Sequence, residues 1–299
     1  MPIRGCRIRI SMDFQSDISG RVFNIPPDIF ASHFWNGAAY TCRLPRSTFE
    51  FDRHRGAMTE PLLYGDFARY YDLVHAGFDY AGHADALHAL LRAQGVHDGA
   101  HLLEAACGTG NYLVALRRHY AVSGFDRSDA MLRVARDKLP DAPLRLADLR
   151  GFDWPERVDA ILCLCSAIAY LRSRDELAQA VAAFARALRP DGVLVLRPWL
   201  TPAQAREGAL WMDVHDDNAL KLCRQAVLRR DNRDAILDFH WLVATAAAGV
   251  SHHVDRHVLH LFDDHEIETA LSANGFSCRR VDVAGFGQPL WLARRAGRP

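Results

Sequence analysis

The residues best placed for chemistry lie in one short run, His101-Leu102-Leu103-Glu104-Ala105-Ala106-Cys107-Gly108-Thr109-Gly110-Asn111-Tyr112-Leu113. A short apolar strand ends near an acid, a glycine turn follows, and a helix begins beyond the turn. Glycine takes positive φ and lets a ligand lie directly against the backbone, while a starting helix offers free N–H groups. Parallel α/β sheets use such a turn to hold a nucleotide-like ligand at the carboxyl ends of their strands. The turn begins like a dinucleotide fingerprint, yet Leu113 stands where that fingerprint requires glycine or alanine. This argues against NAD.

The elements that must position this turn follow in order. Ala121–Asp126 reads as a second strand, ending in a carboxylate about 16 residues after Gly110. Such a carboxylate accepts charge-assisted hydrogen bonds from both hydroxyls of a ribose. Ser128 caps the next helix. A third strand near Leu144–Leu146 precedes Asp148 and Leu149, and a fourth, Val158–Leu164, runs into Cys165–Leu171. Ser173-Arg174-Asp175-Glu176 reads as a capping box. The turn Leu188-Arg189-Pro190-Asp191 precedes a fifth strand, Gly192–Leu196. Residues 198–262 then interrupt the α/β pattern. Within them Ala235–Val243 and Val250–Phe262 read as long antiparallel strands, expected to form a substrate platform. A helix over Asp263–Asn274 and strands Cys278–Val283 and Pro289–Ala293 complete the expected sheet of seven strands, one of them antiparallel. Upstream, Ala84, Leu87, Leu90 and Leu91 have helical spacing.

Together, the glycine turn, Asp126, Asp148, the loop after strand four and the Arg-Pro-Asp-Gly turn resemble the class I S-adenosylmethionine (SAM) methyltransferases. The predicted fold is therefore α/β, a seven-stranded, mostly parallel Rossmann-like sheet with an antiparallel β insertion after strand five. That resemblance implies that Glu104, Gly108 and Gly110 hold the methionine end of SAM. It gives Asp126 the ribose and Asp148 the adenine amino group, with Leu149 beside the ring.

From Tyr64 to Arg294 the chain further resembles the N-methyltransferases that dimethylate the amine of a nucleotide-linked deoxysugar. The residues that carry this are Tyr71–His75, Ala106–Gly110, Ser166 with Ile168 and Leu171, and Pro198-Trp199. Leu242–Ala244, Gly249-Val250, His252, His257 and Leu261-Phe262 add to it from the insertion. The resemblance implies Tyr71, Ala106, Asp126, Asp148, Leu149 and Leu164 around SAM. It implies Tyr64, Tyr170, Trp199 and the strand from His252 to His257 around the substrate. Tyr170, His240 and His257, in that order, are the candidate neighbours of the reacting amine. Three positions depart from that family: Tyr170 stands for a histidine, Val258 for an arginine suited to a diphosphate, and Arg197 for a glutamate.

The expected activity is methyl transfer to a small polar acceptor, foremost the amine of an amino sugar. Transfer to oxygen of another small metabolite, and SAM binding without catalysis, stay open as alternatives. No metal is expected, because HHxxxH on a strand is not the HExxH of a metal-binding helix; on a strand His253 and His257 share one face and His252 and His260 the other.

Bulk properties narrow the partners. Lysine plus arginine equals aspartate plus glutamate at 36 each, so no charge excess favours nucleic acid or a membrane surface. No apolar run approaches a membrane span. A homodimer is compatible with the sequence. Seven cysteines without a CxxC pair suit a reducing, cytoplasmic setting, and Cys163 and Cys165 read as core residues on one strand face. Residues 1–57 carry Pro26, Pro27 and Pro45, scattered arginines and no clear period. No apolar segment follows Arg4 and Arg7, so no signal peptide is expected. They are expected to be loosely ordered, or an over-extended gene start, with the methyltransferase domain spanning residues 58–299.

Overall fold

Strands that are apolar on both faces must be covered by helices on both faces. The central strands of this chain have that character. The computed structural model describes residues 61–297, which fall in the unit Thr59–Pro299. The expectation for residues 1–57 lies outside the described residues.

The first strands are β1 (His101–Ala105), β2 (Ala121–Asp126), β3 (Leu144–Leu146), β4 (Val158–Cys163) and β5 (Leu188–Leu196). With β10 (Phe276–Val281) and β11 (Leu290–Arg295) they form a seven-stranded sheet ordered β10-β11-β5-β4-β1-β2-β3. β11 runs antiparallel to both its neighbours, and the four pairings β1·β2, β1·β4, β2·β3 and β4·β5 run parallel. On one face, Leu103, Ile161 and Leu194 pack beneath α5 (Arg174–Ala187) and α6 (Asp264–Ala273). On the other, Leu102, Leu162 and Val195 pack beneath α2 (Tyr80–Ala93) and α3 (Asn111–Leu116). Two layers of helix thus leave the carboxyl ends of β1, β2 and β4 as the edge where the loops with special backbone geometry gather.

Ser128 caps α4 (Asp129–Lys138) as expected, accepting from Met131 N at 3.1 Å. Ser173 also caps its helix, but the box there is not closed. Glu176 turns its carboxylate to Arg172 N and Arg150 instead of back to the cap. The reciprocal box sits on α6, between Asp263 and Glu266.

The insertion holds four antiparallel strands where the sequence pattern indicated two. They are β6 (Leu210–Asp216), β7 (Leu220–Asp231), β8 (Asp234–Thr245) and β9 (Gly249–His260), in that spatial order. β6 and β7 escape the pattern because their inward positions include Asp213, His215 and Arg224. Arg224 is buried and paired with Asp213 at 2.8 Å. The inward face of this sheet packs Leu222, Leu237, Phe239 and Trp241 against Leu63, Phe67 and Tyr70 of the first described segment. That segment consists of two short 3-10 turns, Leu62–Tyr64 and Ala68–Tyr70, followed by α1 (Tyr71–Val74).

Among the described residues no helix is long and apolar enough to cross a membrane. Cys163 is buried in β4, but Cys165 lies past the strand end at φ 50° and is exposed. The two are not a core pair, because the backbone leaves strand geometry between them.

Candidate active site

Beyond β1 the backbone turns sharply, and Ala106, Gly108 and Gly110 take φ of 55°, 53° and 76°. A Cβ on Gly110 would meet Leu139 at 3.0 Å, whereas one on Gly108 would find only Met131 Cε, at 4.0 Å. Glycine at 110 thus lets the turn sit close to α4, and Gly108 leaves open space over the turn. Asp126 pins this geometry: Gly108 N donates to its Oδ2 at 2.8 Å and Ser128 N to its Oδ1 at 2.9 Å. Burial raises the pKa of Asp126, opposed by those two backbone donors. Each oxygen keeps a lone pair for a hydroxyl. Glu104 is buried, its pKa is pushed well up by that burial and by the charge of Asp126, and its Oε2 has no partner. An unmatched buried carboxyl beside a glycine turn suits the ammonium of an amino acid, so these residues fit the methionine end and ribose of SAM.

The first described segment is clamped to this turn. Asp72 on α1 accepts from Thr109 Oγ1 at 2.6 Å, Asn111 Nδ2 at 2.8 Å and Lys138 Nζ at 2.8 Å. Burial works against its ionisation, but these three donors outweigh burial and hold its pKa below the usual value. Ser128 Oγ donates to Tyr64 O, a second tie at the start of α4. Tyr71, the neighbour of Asp72, is thereby held near the exit of β4, its ring stacked on His75 at 4.2 Å between centroids. Cys165 and Ser166 both adopt left-handed φ, 50° and 62°, without glycine. Such backbone costs on the order of 1–3 kcal/mol per residue and concentrates at functional sites.

A chain of hydrogen bonds runs from this loop into the antiparallel sheet. Tyr64 OH lies 2.8 Å from Tyr170 OH, and Tyr170 OH lies 2.6 Å from His257 Nδ1. His257 Nε2 lies 3.0 Å from Asp255 Oδ2, and Asp255 also accepts Leu62 N at 2.7 Å and Leu63 N at 3.0 Å. An ionised carboxylate only accepts, so Nε2 carries the imidazole proton and Nδ1 accepts from Tyr170. Tyr170 in turn accepts from Tyr64. Burial lifts the Tyr64 hydroxyl to about 12 and the Tyr170 hydroxyl well above its ordinary value. Both stay protonated at neutral pH. Asp255 has no spacing signal in the sequence and emerges only from the fold.

The methyltransferase-domain family model matches residues 102–192. Over 230 residues the chain is 33% identical to the dTDP-3-amino-3,4,6-trideoxy-alpha-D-glucopyranose N,N-dimethyltransferase of Streptomyces venezuelae, covering 76% of this chain and 97% of that one. It is 35% identical to the dTDP-3-amino-3,6-dideoxy-alpha-D-glucopyranose N,N-dimethyltransferase of Streptomyces fradiae, covering 76% and 90%. This chain belongs to the amino-sugar N,N-dimethyltransferase family. Among solved structures, Streptomyces venezuelae DesVI superposes with a TM-score of 0.72 at 32% identity, covering 77% of this chain and 99% of that one. SAM-bound CalS10, an amino pentose methyltransferase from Micromonospora echinaspora, gives 0.69 at 30% identity, covering 81% and 100%. The protein is a SAM-dependent methyltransferase.

The remaining expected site residues of this methyltransferase divide into two groups. Leu164 and Leu149 are buried under the cleft, and Trp199 packs beside Trp211 at the start of the insertion. Asp148 is half-exposed and engaged by Arg150, with Nε to Oδ1 at 2.7 Å and a second nitrogen to Oδ2 at 2.8 Å. This pairing holds its pKa down. It lines a cavity of about 550 Å³ with Arg145, Arg150 and Trp154, none of which belongs to the hydroxyl chain. His240 and His252 do not reach the cleft. They lie 3.0 Å apart on the solvent side of the antiparallel sheet, because β8 and β9 alternate and Phe239, Asp255 and His257 point inward. Val258 shares that outward face, so the valine there does not line the cleft.

In the cofactor site, Asp126→Ala is expected to weaken SAM binding by about 1.5–3 kcal/mol, the scale of hydrogen bonds to a charged group. Gly108→Val, at a left-handed φ, is expected to lose binding altogether. Calorimetric titration with SAM checks both, and wild-type affinity in both variants rejects the assignment of this cleft.

Proposed function

We propose that this methyltransferase methylates the amine of a small, polar amino sugar, with Tyr64 and Tyr170 orienting the nitrogen. The chain Tyr64–Tyr170–His257–Asp255 is the observation that carries this reading. When bound, SAM supplies a sulfonium-activated methyl group, so the protein's main task is alignment. Placing a nucleophile about 3 Å from the methyl, in line with the leaving sulfur, lowers the barrier by several kcal/mol. A neutral amine must aim its lone pair at the methyl, which turns its N–H groups toward acceptors. Tyr64 donates to Tyr170 and keeps both lone pairs for such a contact.

As the nitrogen gains its methyl, one N–H proton passes to the Tyr64 oxygen. Tyr64 gives its own proton to Tyr170, and Tyr170 gives its own to His257 Nδ1. The imidazolium so formed is held against the Asp255 carboxylate. Raised tyrosine pKa values favour this concerted passage over a free tyrosinate. No metal is required.

The test uses the purified chain with SAM and dTDP-linked 3-amino and 4-amino deoxysugars, read by mass spectrometry. A gain of one or two methyl groups on nitrogen is expected. Methylation on oxygen or carbon overturns the amine assignment, and tight SAM binding without turnover of any acceptor favours the non-catalytic reading.

We also propose a cytoplasmic homodimer formed through the outward face of the antiparallel sheet. Leu210, Met212 and Val250 are 77%, 65% and 73% exposed there, alongside Val214, Leu242 and Val254. Apolar patches of this breadth mark interaction surfaces, and one face meeting its own copy makes a closed two-fold contact. Met212→Glu combined with Val214→Arg is expected to give a monomer by light scattering, and an unchanged mass in the variant, or a monomeric wild type, removes this proposal.

A further inference from the structure

Arg197 leaves β5 at the carboxyl edge of the main sheet, its N–H donating to Cys163 O at 2.9 Å. Strand alternation places it on the face of Val193 and Val195, the face that Glu104 shares through Leu102 on β1. Its guanidinium is held between two rings, 5.8 Å from the centre of Phe78 and 5.4 Å from that of Phe286. One nitrogen donates to Phe286 O at 3.3 Å. Among the described residues no carboxylate pairs with it, whereas the similarly placed Arg224 of the antiparallel sheet has Asp213. A half-buried guanidinium without a counter-charge is costly to keep, and its planar fork matches carboxylate and phosphate.

Its surroundings place it at the methyl-transfer cleft. Burial raises the pKa of the Tyr112 hydroxyl; the charge of Arg197 opposes this and that of Glu104 adds to it. Tyr112, at the start of α3, thus has both the acid and the guanidinium near it, and Cys165 sits in the loop leading from β4 to Tyr170. We propose that Arg197 is an anion seat of this cleft, taking a carboxylate or phosphoryl group on the free edge of its guanidinium. The two rings fix the plane of the fork, so the seat is built before the ligand arrives. Two ligands present that chemistry: the carboxylate of the methionine end of SAM, and an anionic group on the acceptor.

The inference rests on the assigned SAM cleft, and the test separates the two. Wild type, Arg197→Gln and Arg197→Lys are titrated with S-adenosylhomocysteine, 5′-methylthioadenosine, inorganic pyrophosphate and dTDP. Methylthioadenosine has the nucleoside but no carboxylate, so its affinity is expected to be unchanged in every variant. Arg197→Gln is expected to weaken at least one anionic probe by roughly tenfold to a hundredfold, with Arg197→Lys intermediate. Loss of S-adenosylhomocysteine alone assigns the seat to the cofactor, and loss of pyrophosphate or dTDP assigns it to the acceptor. Unchanged affinity for all three anions overturns the proposal. So does an equal loss of methylthioadenosine, which would make Arg197 a packing residue between its two rings. A wild type that binds neither nucleoside refutes the SAM cleft instead.

Discussion

Tyr170→Phe is expected to lower kcat by about a hundredfold or more, the scale of a lost proton-handling group, with SAM affinity unchanged. The substitution removes one oxygen and nothing else, so the ring keeps its edge contact with Tyr64 at a centroid distance of 5.6 Å. Two hydrogen bonds vanish together, to Tyr64 at 2.8 Å and to His257 at 2.6 Å. Tyr64 then loses its only route to the imidazole, and His257 Nδ1 is left buried without a donor. Tyr64→Phe should resemble it in kcat, because both interrupt the same passage. SAM affinity tests the assignment independently: the ribose and methionine contacts are assigned by our proposal to Asp126, Glu104 and the glycine turn, none of which hydrogen-bonds Tyr170. Turnover with the true acceptor, measured beside SAM titration, decides it. Equal turnover in Tyr170→Phe would make this residue a packing aromatic under the antiparallel sheet.

The glycine turn and the carboxylate that pins it, the half of the site we propose for the cofactor, were legible in the sequence because their geometry is local. Gly108 and Gly110 are needed where φ is positive, and Asp126 ends the neighbouring strand, so spacing along the chain predicts both. The half proposed for the acceptor is assembled from distant segments. Period two on β9 separated His257 from His252 but could not say which face turns inward. That is decided by Leu63 and Phe67, residues almost 200 positions earlier, which cover the inner face of the sheet. His240 was misplaced for the same reason. β6 was illegible because its alternation is inverted: Leu210, Met212 and Val214 face solvent while Asp213 and His215 face inward. Asp72 was passed over beside Tyr71, since its partners Thr109, Asn111 and Lys138 meet it only in the folded chain.

Asp255→Ala is expected to cost about 3–5 kcal/mol of stability, the scale for removing one partner of a buried charged network. At the size of this protein that lowers Tm by roughly 10 °C. Asp255 is 1% exposed and serves three donors at once, the N–H groups of Leu62 and Leu63 and the His257 ring. Alanine leaves all three without this partner, those of Leu63 and His257 in a buried setting. The damage should spread in a definite direction. Leu62 and Leu63 begin the segment that carries Tyr64, Tyr71 and Asp72, so freeing them loosens the cover of the cleft. Asp255→Asn separates this scaffolding from chemistry. Its amide oxygen still accepts, so much of the stability should return, but a neutral side chain cannot balance an imidazolium at His257. The expected pattern is therefore a large Tm loss in Asp255→Ala, a smaller one in Asp255→Asn, and a low kcat in both. Thermal unfolding beside turnover measures it. Wild-type kcat in Asp255→Asn would show that His257 takes no proton during methyl transfer, leaving Asp255 as an anchor for the cover alone.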